Sequence, residues 1–134
     1  MPDIHNSDPF DELKKDIQSN SADRTSEFAK EDIRANSAIA ASAYIPLLFL
    51  LPFFIRPDSR FARFHANQGL ILFILDAVLG IARSTIFNLP FVRMPVDLVV
   101  SLVTLGYFLY GFIHALNGKA KELPFIGRFN LIHY

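Results

Sequence analysis

Five residues in the apolar body of this chain carry groups that hydrocarbon does not tolerate alone: Asp76, Arg83, Asp97, Ser101 and Thr104. Asp76 and Arg83 fall within "GLILFILDAVLGIARSTIF", Gly69 to Phe87. At 100° per residue, Gly69, Asp76, Gly80 and Arg83 lie within about 60° of one another on a helix, and Leu and Ile cover much of the rest. His65 joins the stripe if that helix starts early. The later run "LVVSLVTLGYFLYGFIHAL", Leu98 to Leu116, has a matching stripe of Asp97, Ser101, Thr104, Gly111, Ala115 and Gly118. A charge at mid-bilayer costs at least about 2.5–3.5 kcal/mol on insertion scales, so Asp76 must be paired, protonated or wet. Two chemistries are open. The stripe lines a pathway for ions, protons or peptide, or it is a buried pin fixing helix register, with Asp76 and Arg83 bridging each other. One polar stripe in three short helices cannot enclose a pore, so a pathway requires an oligomer.

The elements that must position these groups follow from hydropathy. "SAIAASAYIPLLFLLPFFI" offers 19 residues without a charge, enough to cross about 30 Å of hydrocarbon as a helix. Pro46 and Pro52 inside it predict a kink; a re-entrant hairpin is the alternative. The expected fold is all-α: a polytopic membrane protein with spans at about 37–55, 68–88 and 97–117. An acidic, partly helical or disordered arm precedes them at 1–36, and an interfacial tail, 118–134, places Tyr134 near the headgroups. "NLPFVRMPVD" reads as a Pro-bounded turn. Small and polar faces of the second and third spans should meet, since small residues permit close approach. Antiparallel packing then sets Arg83 against Asp97, and Asp76 against Thr104, Tyr107 or Tyr110. Three spans put the termini on opposite sides. Six bases against four favour a cytoplasmic C-terminus.

Composition narrows the function. The chain has 134 residues, 51% hydrophobic and 19% charged, against about 25% charged in a soluble domain. Its neutral total conceals an asymmetry: nine acids against five bases in residues 1–36, then four against eight. That acidic start fits neither a signal peptide nor a transit peptide, so a prokaryotic plasma membrane is expected. Cysteine is absent, which excludes disulfides, thiol catalysis and Cys-ligated zinc. His65 and His114 have no carboxylate at ligand spacing, and no nucleophile elbow or phosphate-cradling loop appears. Neither an enzyme, a cofactor nor a nucleic-acid partner is expected. In the arm, "SDPFDELKKDI" reads as a helix capped by Ser7 or Asp8, with Pro9 at its first position and Phe10, Leu13 and Ile17 on one side. The arm is a solvated segment, or it lies on the bilayer or docks a soluble partner.

Two polar strings border the greasy runs. "RPDSRFARFHANQG" supplies arginines for the headgroup level, a turn at Pro57-Asp58-Ser59, and Asn67 and Gln68 to meet backbone amides at the start of the second span. "ALNGKAKELPFIGRFNLI" follows the third span. Three spans put both strings on one side, where His65, Asn67 and Gln68 would meet Asn117, Lys119 and Glu122, as a fold-locking cluster or a docking site. "YIPLLFLLPFF", "RFARFHANQGLILFI" and "ALNGKAKELPFIGRFNLI", with "FHANQG" (Phe64 to Gly69) and "NGKAKELP" (Asn117 to Pro124) as signatures, resemble a bacterial and archaeal family of small membrane proteins with a domain of unknown function. That family is similar to the Tic-twenty component of the chloroplast inner-envelope import translocon. The resemblance covers roughly Ala43 to Ile132. It implies a helical membrane domain and, by analogy, a component of a protein-conducting or substrate-transporting complex, as a homo-oligomer or with partners. Many relatives carry an N-terminal zinc ribbon, which this Cys-free chain lacks.

Overall fold

A computed structural model of the chain describes residues 8–86 and 88–134. The described residues are helical: α1 (Pro9–Ser19), α2 (Lys30–Ser42), α3 (Leu51–Ile55), α4 (Arg60–Ile86) and α5 (Pro90–Leu116), with 3₁₀ turns at Thr25–Glu27 and Leu48–Leu50. Asp8 caps α1, its carboxylate facing the Phe10 N–H at 3.5 Å, and Pro9 takes the first position. Ser7, the other cap considered, and Phe87, expected in the second span, lie outside the described residues.

α4 and α5 pack side by side as a hairpin. Both are long and apolar enough to cross a membrane by length and composition, and only 17% and 6% of their most apolar windows are buried by protein. The core helix of a soluble protein would be mostly buried. Instead Val78, Ile81, Leu98, Val99 and Leu102 are all more than half exposed. Large exposed apolar faces mark surfaces that meet a partner, a ligand or a membrane.

The first expected span is not a continuous helix. α2 stops at Ser42, the chain turns through Leu47 at φ 68, and α3 covers only five residues. Pro46 explains the break. It has no N–H to donate to the Ser42 carbonyl four residues back, and its ring clashes there. Pro52 sits instead in the first turn of α3, where a missing N–H costs nothing. No piece of 37–55 is therefore long enough to cross 30 Å.

A second departure follows. Residues 20–28 lie against the segment after α5: the Arg24 N–H donates to the Ala120 carbonyl at 2.8 Å, and the Glu122 N–H to that of Ala22 at 3.0 Å. Residues 20–28 and the segment after α5 thus meet at one end of the hairpin. Helix α2, α3 and these two segments form a cap around the base of the hairpin. In it Phe61, Phe64 and Leu123 are wholly buried, and Phe28 contacts both Phe61 and Phe64 edge-on or tilted.

The hairpin helices also begin earlier than hydropathy indicates. α4 starts at Arg60 because Ser59 accepts from the Ala62 N–H at 3.0 Å, and Asp32, reaching over from α2, accepts from the Phe61 N–H at 3.0 Å. α5 starts at Pro90, so most of the expected turn is its first two helical turns, with Pro95 inside.

Candidate functional site

The polar seam lies where α4 faces α5. Arg83 reaches Asp97 at 3.5 Å, Arg93 approaches the other Asp97 oxygen at 3.5 Å, and the Arg83 Nε–H donates to the Leu79 carbonyl at 3.3 Å. Asp76 stands apart from that cluster. Its Oδ1 accepts from the Thr104 hydroxyl at 3.3 Å, and no ion pair joins it to a cation among the described residues. Asp76 is ten residues from the end of α4, about 15 Å along the axis, or half the hydrocarbon thickness of a bilayer. Tyr107 and Tyr110, the other partners considered for Asp76, turn to the cap: Tyr107 donates to the Pro124 carbonyl at 2.9 Å, and Tyr110 bonds Ser21.

Around the seam a groove of about 390 Å³ opens between the helices and the α2–α3 turn. Asp76, Arg83, Ser101 and Thr104 supply its polar wall; Tyr44, Phe73 and Phe108 are aromatic neighbours in it. Its upper end is closed by two tight backbone approaches that require glycine. A Cβ on Gly69 would stand 1.9 Å from the Ala43 carbonyl oxygen, and one on Gly111 would stand 2.0 Å from the Tyr44 ring. Ser101 is solvent-exposed in the isolated chain, whereas Asp76 and Thr104 are half-buried.

The signature residues sit elsewhere, at the base of α4, and His65, Asn67 and Gln68 are fully buried. The His65 Nε2 lies 3.1 Å from the Lys119 carbonyl, which only accepts, so this nitrogen carries the proton; Nδ1 is then the acceptor for the Tyr44 hydroxyl at 2.6 Å. Asn67 donates to the Phe129 carbonyl at 2.7 Å and accepts from the N–H groups of Leu131 and Ile132 at 2.7 and 3.0 Å. Gln68 donates to the Gly127 carbonyl and accepts from the Leu123 N–H, both at 2.9 Å. Asn67 and Gln68 thus leave the amides of the helix start to Asp32 and Ser59, and serve the C-terminal segment. A segment with almost no regular structure must find partners for its backbone groups, and these two side chains provide five.

The patch is therefore joined through main chain. Lys119 participates by its carbonyl. Asn117 is the exposed C-cap of α5. Glu122 contributes its backbone to Ala22 and Ser21, and its carboxylate lies 3.5 Å from Arg24. Burial pushes the Glu122 carboxyl above the ordinary carboxylate range, outweighing the Arg24 charge. Asp23 moves the other way, held below its ordinary value by the Thr25 hydroxyl and N–H. Arg24 also bonds the Tyr134 hydroxyl, and the Tyr134 ring stands edge-on to Phe64. Sequence reasoning missed Tyr44, Ser21 and Asp32. Nothing local marks a residue whose partner lies 21 to 101 positions away.

The chain matches no protein-family model, no curated protein and no solved structure.

Proposed function

We propose that the protein is a small integral membrane subunit of a transport or protein-translocation assembly, with α4 and α5 crossing the bilayer and their seam as a hydrophilic lining. The observation that carries this reading is the groove: four polar side chains line one face of a hairpin whose outer faces are Val, Leu and Ile. Polar groups in lipid persist where they pair or border water. A groove open on one side needs a second polar surface to separate it from acyl chains, so the working unit is a homo-oligomer or a larger complex. The resemblance of the two signature strings to the Tic-twenty-like family supports the same reading, through the fold those strings hold together.

The absence of cysteine makes the test simple. In proteoliposomes, Ser101→Cys should react readily with a membrane-impermeant thiol reagent, and Leu102→Cys, next to it but facing outward, should stay inert. In planar bilayers Asp76→Asn should alter ion preference. A seam cysteine as inert as the outward one, together with an unchanged leak, rejects the pathway.

One observation favours a second reading, a non-conducting scaffold that recruits a soluble protein through its acidic arm. Phe10 and Leu13 on α1 are 78% and 53% exposed, side by side with acidic residues. Crosslinking from Phe10→Cys should then capture a soluble partner. Removal of residues 1–19 without functional loss excludes it.

A further inference from the structure

The two charged groups that line the groove, Asp76 and Arg83, are unequally partnered. Arg83 is occupied by Asp97 and the Leu79 carbonyl, and Arg93 shares that same carboxylate. Among the described residues Asp76 keeps a single neutral partner, the Thr104 hydroxyl at 3.3 Å, at the long end of the hydrogen-bond range. It faces a cavity of about 390 Å³, within the range of sites that hold small organic molecules. The cavity wall beside it is aromatic: Tyr44 from the α2–α3 turn, Phe73 one turn before Asp76 on α4, and Phe108 one turn beyond Thr104 on α5. A carboxylate beside aromatic rings, with its neighbouring cation engaged by another carboxylate, is complementary to a cation that is itself apolar, because ring faces and carboxylate attract the same sign of charge. A metal ion or a hydrated amine would have to shed its tightly held water before it could profit from those rings, whereas a lipophilic cation carries little.

From this geometry we infer that the groove binds lipophilic organic cations, with Asp76 as the counter-ion and Tyr44, Phe73 and Phe108 as the walls. The inference deepens the reading of the seam as a membrane-embedded hydrophilic lining, and rests on it, by naming the substrate class that lining accepts. Thr104 orients the carboxylate through its hydroxyl.

The probe is tetraphenylphosphonium, with tetraphenylborate as its counterpart of the same shape and opposite charge. Binding is measured by equilibrium dialysis on the full chain in lipid nanodiscs, against protein-free nanodiscs. Saturable binding of the phosphonium and none of the borate is expected. Asp76→Asn keeps the volume and the Thr104 contact but removes the charge, and should weaken the phosphonium by roughly 30-fold or more. Asp58→Asn, which removes a carboxylate outside the groove, should leave binding unchanged. Ser101→Trp, which fills the groove from its exposed edge, should abolish binding even if the Asp76 variant does not fold. Equal retention of both ions, or an Asp76→Asn protein that binds as the parent does, overturns the inference. Ready labelling of Ser101→Cys without phosphonium binding overturns it while leaving the pathway standing. Phosphonium binding that needs Asp76 beside an inert seam cysteine supports it and rejects conduction alone.

Discussion

Asn67 shows what a single polar residue does in an otherwise greasy fold. It is wholly buried, yet all three of its hydrogen bonds go to backbone groups of residues 129–132. Removing one partner of a buried bond leaves a desolvated group costing about 1–3 kcal/mol. Asn67→Ala is therefore expected to destabilise the fold by roughly 3 kcal/mol or more. Asn117→Ala, at an exposed cap, should cost under about 0.5 kcal/mol. Thermal unfolding in detergent reads both, and the double variant should show simple additivity, since their side chains do not meet. Asp23 makes a pH-dependent contribution of defined sign. Its folded value lies below the ordinary 3.8, so its stabilising effect is complete above that pH and lost as pH falls through the lower folded value. Thr25→Val removes the hydroxyl that holds it down. NMR titration of the Asp23 carboxyl should then show its midpoint move up toward 3.8, and an unmoved midpoint would refute that cause.

At the scale of elements, the α2–α3 segment is decided by two prolines and one glycine. Pro46 ends α2 at Ser42, and the buried Ala43 carbonyl is then brought against Gly69 of α4. Any side chain at residue 69 would meet that oxygen, so Gly69→Ala should push the segment off the hairpin and open the groove. A loss on the order of 3 kcal/mol, the scale of overpacking a filled site, is expected by chemical denaturation. Gly106→Ala is the control: a Cβ there meets nothing within 4 Å, and replacing a helical glycine should stabilise α5 by about 0.5–1 kcal/mol. Equal effects at the two positions would contradict the close approach. Hydropathy alone reads 37–55 as one rod because it sums side chains, whereas the break comes from the backbone chemistry of Pro46.

Across the whole molecule, the cap and the hairpin differ in how much of their surface is covered by protein. The cap is knitted by hydrogen bonds between residues 20–28, the base of α4 and the segment after α5; the hairpin leaves its apolar faces uncovered. Truncation after Gly118 would strand His65, Asn67 and Gln68 and uncover Phe64. At about 1–3 kcal/mol for each orphaned group, this approaches the whole stability of about 5–15 kcal/mol that a domain possesses. Loss of the cooperative transition is the expected outcome. Removal of residues 1–19 takes away only α1, which has no buried residue, and should leave the transition within a few degrees. Similar behaviour of the two truncations would show that the C-terminal segment does not close the core.

Residue chemistry and its period by themselves determined the helical class, the two long apolar helices and the facing polar stripes on them. Each is encoded locally, in runs of apolar side chains and a repeat near 3.6. Only the tertiary structure decided that residues 37–55 fold back, that residues 20–28 and the segment after α5 meet at one end of the hairpin, and that Asn67 and Gln68 hold main chain 55 to 65 residues away. It likewise gave Asp76 the Thr104 hydroxyl while Arg83 took Asp97. The reason is physical: hydrogen-bond partners and close backbone contacts depend on distances in space, and the order of residues along a chain does not contain them.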